Sequence, residues 1–129
     1  MPSTEHMLAT VNAYVDAFDR GDAEAVRDLF APDASVEDPA GTPPKVGHQA
    51  ILDFYKMSMQ TGAKLKLEGP VRCNADTAAF AFSVHLEQQG QPMRIDVIDL
   101  FKFADDGKVS SMIAYFGESN MHMGAQANA

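Results

Sequence analysis

The run Ile95-Asp96-Val97-Ile98-Asp99-Leu100-Phe101-Lys102-Phe103 constrains the fold of this chain more than any other stretch. It alternates, and successive side chains of a β-strand point to opposite faces, so a strand is predicted here. Ile95, Val97, Asp99, Phe101 and Phe103 share one face. Four of these five are large and apolar, so the face must look into a core or a pocket. Asp99 stands in the middle of it. An ionised carboxylate is costly in such surroundings, and the usual outcome is a raised pKa that leaves the acid neutral. A neutral carboxylic acid donates a hydrogen bond, which a carboxylate cannot. Asp99 is therefore the first candidate for function. The strand pattern alone equally allows a structural aspartate, paired to a basic group or turned outward at a bulge.

Upstream, Ser3 is placed to cap a helix with Glu5 in its first turn, where negative charge suits the helix dipole. Met7, Val11, Tyr14 and Phe18 then recur at helical spacing. Tyr14 thus points inward, either as a functional phenol or as a core tyrosine bonded to a backbone carbonyl. Gly21 ends this helix. Asp22 caps a second one carrying Val26, Leu29 and Phe30, and Pro32 closes it. In Ala34-Ser35-Val36-Glu37-Asp38-Pro39-Ala40-Gly41, the proline biases Asp38 toward an extended backbone at a strand end. Asp38 is either a reactive loop residue on a rigid scaffold or a solvated turn carboxylate. A third helix is expected from His48 to Thr61, with Ile51, Phe54, Tyr55 and Ser58 inward and a stop near Gly62.

Beyond Gly62 the period changes to two. Leu65 and Leu67 alternate with lysines, and Gly69-Pro70 suggests a bulge or an edge. Phe80, Phe82, Val84 and Leu86 share a strand face, and Gln89-Gly90 turns the chain into the Asp99 strand. After a turn at Asp106-Gly107, Met112, Ala114 and Phe116 line one face of a last strand. From Met121 to Ala129 a frayed tail is expected. Three helices followed by an antiparallel meander indicate an α+β fold in which a strongly curved sheet wraps the first helix and encloses a conical cavity. A chain of 129 residues is expected to form one domain, residues 1–129, around one core.

Composition narrows the chemistry. A net charge of −8 argues against nucleic acid and anionic membrane surfaces as partners. Cys73 is the single cysteine, so no intrachain disulfide and no thiolate metal cluster can form, and without a histidine partner it reads as inert. His6, His48, His85 and His122 lack ligand-like spacing, and no phosphate loop or nucleophile elbow occurs. With no membrane-spanning run and no secretory start, a soluble cytoplasmic protein without metal or cofactor is expected. What is left is an apolar pocket from Phe54, Phe82, Val84 and Leu86, with Phe101, Met112 and Phe116 as further lining. Its titratable candidates are Tyr14, Asp38 and Asp99. Two neutral donors, a phenol and a carboxylic acid, can form an oxyanion hole while a third, ionised carboxylate moves a proton. That set suits enolisation of a bulky apolar ketone.

These residues resemble those of the bacterial steroid Δ5-3-ketoisomerases, members of the cone-shaped nuclear-transport-factor-2-like fold group. The resemblance covers about residues 5–124 and includes Val36-Glu37-Asp38-Pro39 with Gly41, Phe54-Tyr55, Ala79-Phe80-Ala81-Phe82, Ile98-Asp99 and Ser111-Met112 through Phe116-Gly117-Glu118. Tyr14, Asp38 and Asp99 in order are its specific part. It implies Asp38 as base, Tyr14 and protonated Asp99 as donors to a dienolate oxygen, and Tyr55 behind Tyr14. Ketosteroid isomerase is itself the known case of a carboxylic acid kept neutral by its apolar site, so the role of Asp99 follows here from the resemblance. A small steroid-like ketone and a homodimer formed through sheet faces are the implied partners, with Ile98 and Leu100 on the reverse face of the strand. Two positions depart from relatives: Phe30 stands where some have a tyrosine, and Leu86 where at least one has a phenylalanine. Another fused-ring ketone, such as a polyketide or terpenoid, and a non-catalytic small-ligand carrier are the alternative readings.

Overall fold

Local capping signals set the helices. In the computed structural model, which describes residues 1–128, helix α1 spans Thr4–Arg20. Ser3 Oγ accepts a hydrogen bond from the His6 amide at 3.0 Å. Gly21, at φ 66°, turns the chain with its N–H on the Ala17 and Phe18 carbonyls, a left-handed conformation that favours glycine. Met7, Val11, Tyr14 and Phe18 are all buried along one stripe, each contributing about 1.5–3 kcal/mol of apolar transfer for a large side chain. Helix α2, Ala23–Arg27, is capped by Asp22 Oδ1 on the Ala25 amide at 3.0 Å. It is shorter than the sequence suggests, because Phe30 and Pro32 belong to strand β1, Phe30–Glu37. The sheet claims them: the Val109 amide donates to the Leu29 carbonyl at 2.9 Å, and Phe30 pairs with Val109. Pro32 is tolerated where the register shifts between Phe30 and Ser35.

Strand β2 (Lys45–Val46) and helix α3 (His48–Met59) follow. The strands after them are β3 (Lys64–Leu67), β4 (Arg72–Asn74), β5 (Thr77–Gln88), β6 (Gln91–Phe103) and β7 (Val109–Tyr115). The main sheet order is β2-β1-β7-β6-β5-β3, with β4 also on β5. The antiparallel β5–β6 hairpin is its longest pairing, running in unbroken register from Thr77↔Lys102 to Gln88↔Gln91. The sheet is mixed, since β1 lies parallel to β7, a long-range pairing that a pure meander would lack.

The C-terminal segment also differs from the sequence expectation. Over residues 121–128 it does not fray: β8, Met121–Met123, pairs with Met93–Ile95 of β6, and the following 3-10 turns bury Ala127, while Ala129 lies outside the described residues. Arg94 Nη1 holds the Ala127 carbonyl at 3.1 Å, and His122 Nε2 lies 3.1 Å from Asp96 Oδ2. The extra backbone pairing outweighs the small, polar composition of the segment. Among the described residues, no helix is long and apolar enough to cross a membrane.

Candidate active site

The face of β6 that carries Asp99 meets two different surroundings along its length. Toward Phe101 and Phe103 it is covered by a packed aromatic cluster. The Phe101 ring lies 5.3 Å from that of Tyr14, 5.0 Å from Phe80 and 6.1 Å from Phe30. Toward Val97 and Ile95 it lines a cavity of about 320 Å³. Asp99 sits at the boundary, facing the cavity yet 1% exposed. Its register partners are Phe80 on β5 and Ala114 on β7, neither of which offers a side-chain donor.

Both carboxyl oxygens of Asp99 are buried with no hydrogen-bond partner, and they are the only such side-chain atoms among the described residues. A buried polar group left unpaired costs about 1–3 kcal/mol, more if charged. Burial first, and then the nearby charge of Asp38, drive the Asp99 pKa well above the carboxylate range. That direction favours the neutral acid, whose O–H can donate.

Tyr14 reaches the same cavity from α1, and Tyr55 reaches it from α3. Their hydroxyls are 3.0 Å apart, either one able to donate, and their rings meet edge to face at 5.8 Å. Burial pushes both phenols well above their ordinary range, and the neighbouring Tyr55 adds to the shift of Tyr14. Both are neutral donors. Phe30 packs its ring 6.2 Å from Tyr55, so at that position an aromatic face, with no further hydroxyl, backs the pair.

Asp38 enters from the end of β1, just past Glu37, and lines the cavity half-buried. Burial raises its pKa to about 6, an effect that Lys45 partly opposes. Lys45 follows from local topology. It pairs with Val36 across the β1–β2 ladder, and its ammonium stands 4.8 Å over the Phe54 ring on the cavity wall. The sequence reading passed over this lysine, since only the β1–β2 pairing brings it beside Asp38.

The structure thus gathers Tyr14, Asp38, Asp99 and Tyr55 around one cavity, with Phe54, Phe82, Val84, Leu86 and Phe116 on its walls. Phe101 and Met112 do not belong to the lining. They are 0% and 1% exposed in the core behind Tyr14, because strand parity tells which face is inward but not whether core or cavity lies against it. Ile95, Val97 and Leu65 line the cavity instead, together with Ser58 and Thr61 at the end of α3. Ile95 and Val97 share the Asp99 face, so alternation could have found them.

Each histidine has a structural partner away from the cavity. His6 meets the Gly107 carbonyl, His48 the Phe30 carbonyl, His85 the Ser83 hydroxyl and His122 the Asp96 carboxylate. Among the described residues no cluster of His, Cys, Asp and Glu is placed to hold a metal ion.

A family model for the SnoaL-like domain matches residues 11–112. The chain belongs to that family. A steroid Delta-isomerase of Nocardioides simplex is 38% identical over 114 residues, which is 88% of this chain and 91% of that protein. The epoxide hydrolase/cyclase-like enzyme SalBIII, described for its role in pyran ring formation in polyether salinomycin, shares the fold. It superposes with a TM-score of 0.87 at 20% identity, covering 94% of this chain and 98% of that one. The SnoaL-like domain described here is therefore a homologue of a steroid Delta-isomerase on a nuclear-transport-factor-2-like, cone-shaped α+β fold.

Proposed function

We propose that this protein is a steroid Δ-isomerase that converts 3-oxo-Δ5-steroids into the conjugated 3-oxo-Δ4 form. The observation that carries this reading is the buried, unpartnered carboxyl of Asp99 on the cavity shared by Tyr14 and Asp38. A carrier of apolar ligands gains nothing from a group that costs stability and waits for an acceptor. An enolising enzyme needs such a group, because negative charge grows on the carbonyl oxygen only as the proton leaves the neighbouring carbon.

In this reading the Asp38 carboxylate takes a proton from the carbon between the carbonyl and the double bond. The electron pair of that C–H bond moves through the conjugated system onto the carbonyl oxygen, giving a dienolate. Tyr14 and neutral Asp99 donate hydrogen bonds to that oxygen, while Tyr55 donates to Tyr14 and fixes its proton toward the cavity. Asp38 then returns the same proton two carbons further along, and the double bond shifts into conjugation. No atoms are gained or lost, and the residues named supply every proton the reaction needs. A base with a pKa near 6 is mostly ionised at neutral pH yet basic enough to accept the proton. Phe54, Phe82, Val84, Leu86 and Phe116 would hold the fused rings by apolar contact, as the 38% identical steroid Delta-isomerase supports.

The same reading includes a homodimer through the outer sheet face. There Ile98 and its register partner Tyr115 are about half exposed side by side. Sedimentation at twice the 14.0 kDa of one chain is the expected result, and a monomer at micromolar concentration would remove this part.

The decisive assay follows the ultraviolet band of the conjugated enone formed from 5-androstene-3,17-dione. Wild-type protein is expected to convert it rapidly. Asp38→Asn is expected to bind it and turn it over about 10²–10⁴-fold more slowly, because the pocket keeps its shape and loses only its base. Wild-type turnover by that variant would remove Asp38 from the mechanism. No turnover by folded wild-type protein would move the substrate to another bulky ketone.

A further inference from the structure

The cavity has a second polar end. Asp99, Tyr14 and Tyr55 mark the first. Along β6 the lining continues through Val97 to Ile95, four residues and roughly 13 Å from Asp99 at the rise of a strand. Ile95 pairs with Val84, and Val84 with Leu65, so one row of apolar side chains crosses three strands at this far end. Helix α3 supplies the opposite wall. From Tyr55 to Ser58 it advances by about 4.5 Å, one residue short of its end at Met59, and the turn that follows carries the chain on through Thr61. The segment Thr61-Gly62-Ala63 then leads directly into β3, and Ser58, Thr61, Ala63, Leu65 and Val84 all line the one cavity.

Ser58 is half-buried on the cavity wall, and its hydroxyl bonds to no described residue. Thr61 stands at the rim, its Oγ1 donating to the Ser58 carbonyl at 2.7 Å. The lining on this side of the cavity otherwise consists of Ala63, Leu65, Val84, Leu86 and Ile95, all apolar. In an apolar cavity a few polar groups fix the orientation of the ligand. A hydroxyl that can both donate and accept, set in such surroundings and without a partner of its own, marks where an oxygen of the ligand belongs.

We propose that Ser58 forms a specificity subsite for a second oxygen, a ketone or hydroxyl at the end of the ring system remote from the enolised carbonyl. This rests on the isomerase reading and adds the substrate class: ring ketones oxygenated at both ends. Ser58 can donate to a distal ketone or accept from a distal hydroxyl. The Thr61 proton is committed to a backbone carbonyl, so Thr61 can only accept, and it assists a distal hydroxyl alone.

The test compares 5-androstene-3,17-dione with 5-androsten-3-one, which lacks the distal oxygen, on wild type, Ser58→Ala and Ser58→Thr. Losing one hydrogen bond far from the chemistry should raise KM without lowering kcat, because ground state and transition state lose it equally. Ser58→Ala is expected to raise KM for the dione about five- to tenfold, keep kcat within about twofold, and leave KM for the mono-ketone unchanged. Ser58→Thr, which restores a hydroxyl, is expected to recover most of the difference. Equal changes for both substrates, or no change for the dione, would overturn the subsite.

Calorimetric binding of the unreactive pair 4-androstene-3,17-dione and 4-androsten-3-one to the same proteins separates the two readings. Should turnover be absent altogether, the isomerase reading fails, while a dione preference lost in Ser58→Ala still upholds the subsite. If neither ligand binds wild type, both readings fall.

Discussion

Asp96 and Asp99 lie three residues apart on β6 and have opposite fates. Asp96 faces outward and is satisfied on every side: Arg94 Nε donates to Oδ1 at 3.0 Å, and His122 stands 3.1 Å from Oδ2. Asp99 faces inward, is fully buried, and has no partner for either oxygen. The odd spacing places the two on opposite faces of the strand, and the surroundings of each face do the rest. The outer face of the hairpin treats polar groups as structure. Its Ser83 hydroxyl, for example, is held between Glu68 and His85 at 2.8 Å each. The inner face keeps one acid unpaired, its pKa raised by burial. A carboxyl group is paired in the first setting and left without a partner in the second, so the environment, not the residue type, sets its state.

Substitution at the inner position should break this contrast most strongly. Asp99→Leu removes an oxyanion donor, and turnover of 5-androstene-3,17-dione is expected to fall about 10²–10³-fold. The same change removes a buried group with no partner, so the melting temperature at pH 8 should rise. A fall in melting temperature would mean that Asp99 is satisfied in solution by a group that its present surroundings do not provide.

Titration should sharpen the contrast next. Asp38 ionises near pH 6 in the folded protein against 3.8 ordinarily, so kcat/KM is expected to fall as pH drops below about 6. The stability effect has the opposite sense. Between these two values the native state keeps a proton that the unfolded chain releases, so Asp38 makes folding less favourable as pH rises through that window. Asp99, whose pKa is also raised, acts in the same direction. A pH–rate profile beside thermal melts at several pH values checks both signs, and a rate that is flat down to pH 4 would remove Asp38 as the base.

The outer aspartate should matter least. Asp96→Ala is expected to leave turnover within about twofold and to lower stability by about 0–1 kcal/mol, the range for exposed ion pairs. Faster amide exchange over Met121–Met123, the strand that His122 ties down, is the accompanying signature. A large loss of turnover would show that the outer face is coupled to the site.

Much of the fold is written locally. Ser3, Gly21 and Asp22 cap helices, Gln89-Gly90 and Asp106-Gly107 turn strands, and the alternation around Asp99 tells which residues face inward, because these effects act between neighbours in sequence. Asp99 itself was legible in this way, and so were the inward positions of Tyr14 and Tyr55. Asp38 carries a weaker signal: Pro39 places it at a strand end as a candidate, but a turn carboxylate has no local mark of its use, and its role as base comes from the family resemblance.

Tertiary structure decided the rest, through pairings between segments far apart in the chain. Val109 drew Phe30 and Pro32 into a parallel strand, and β6 ordered the C-terminal segment that composition alone would leave loose. The reach of α1 over the sheet determined that Phe101 and Met112 belong to the core while Ile95 and Val97 belong to the cavity. The β1–β2 ladder brought Lys45 beside Asp38, and the packing of α3 and the sheet put Ser58, Leu65 and Val84 on one cavity. Alternation assigns a side chain to a face; only long-range packing determines what that face meets.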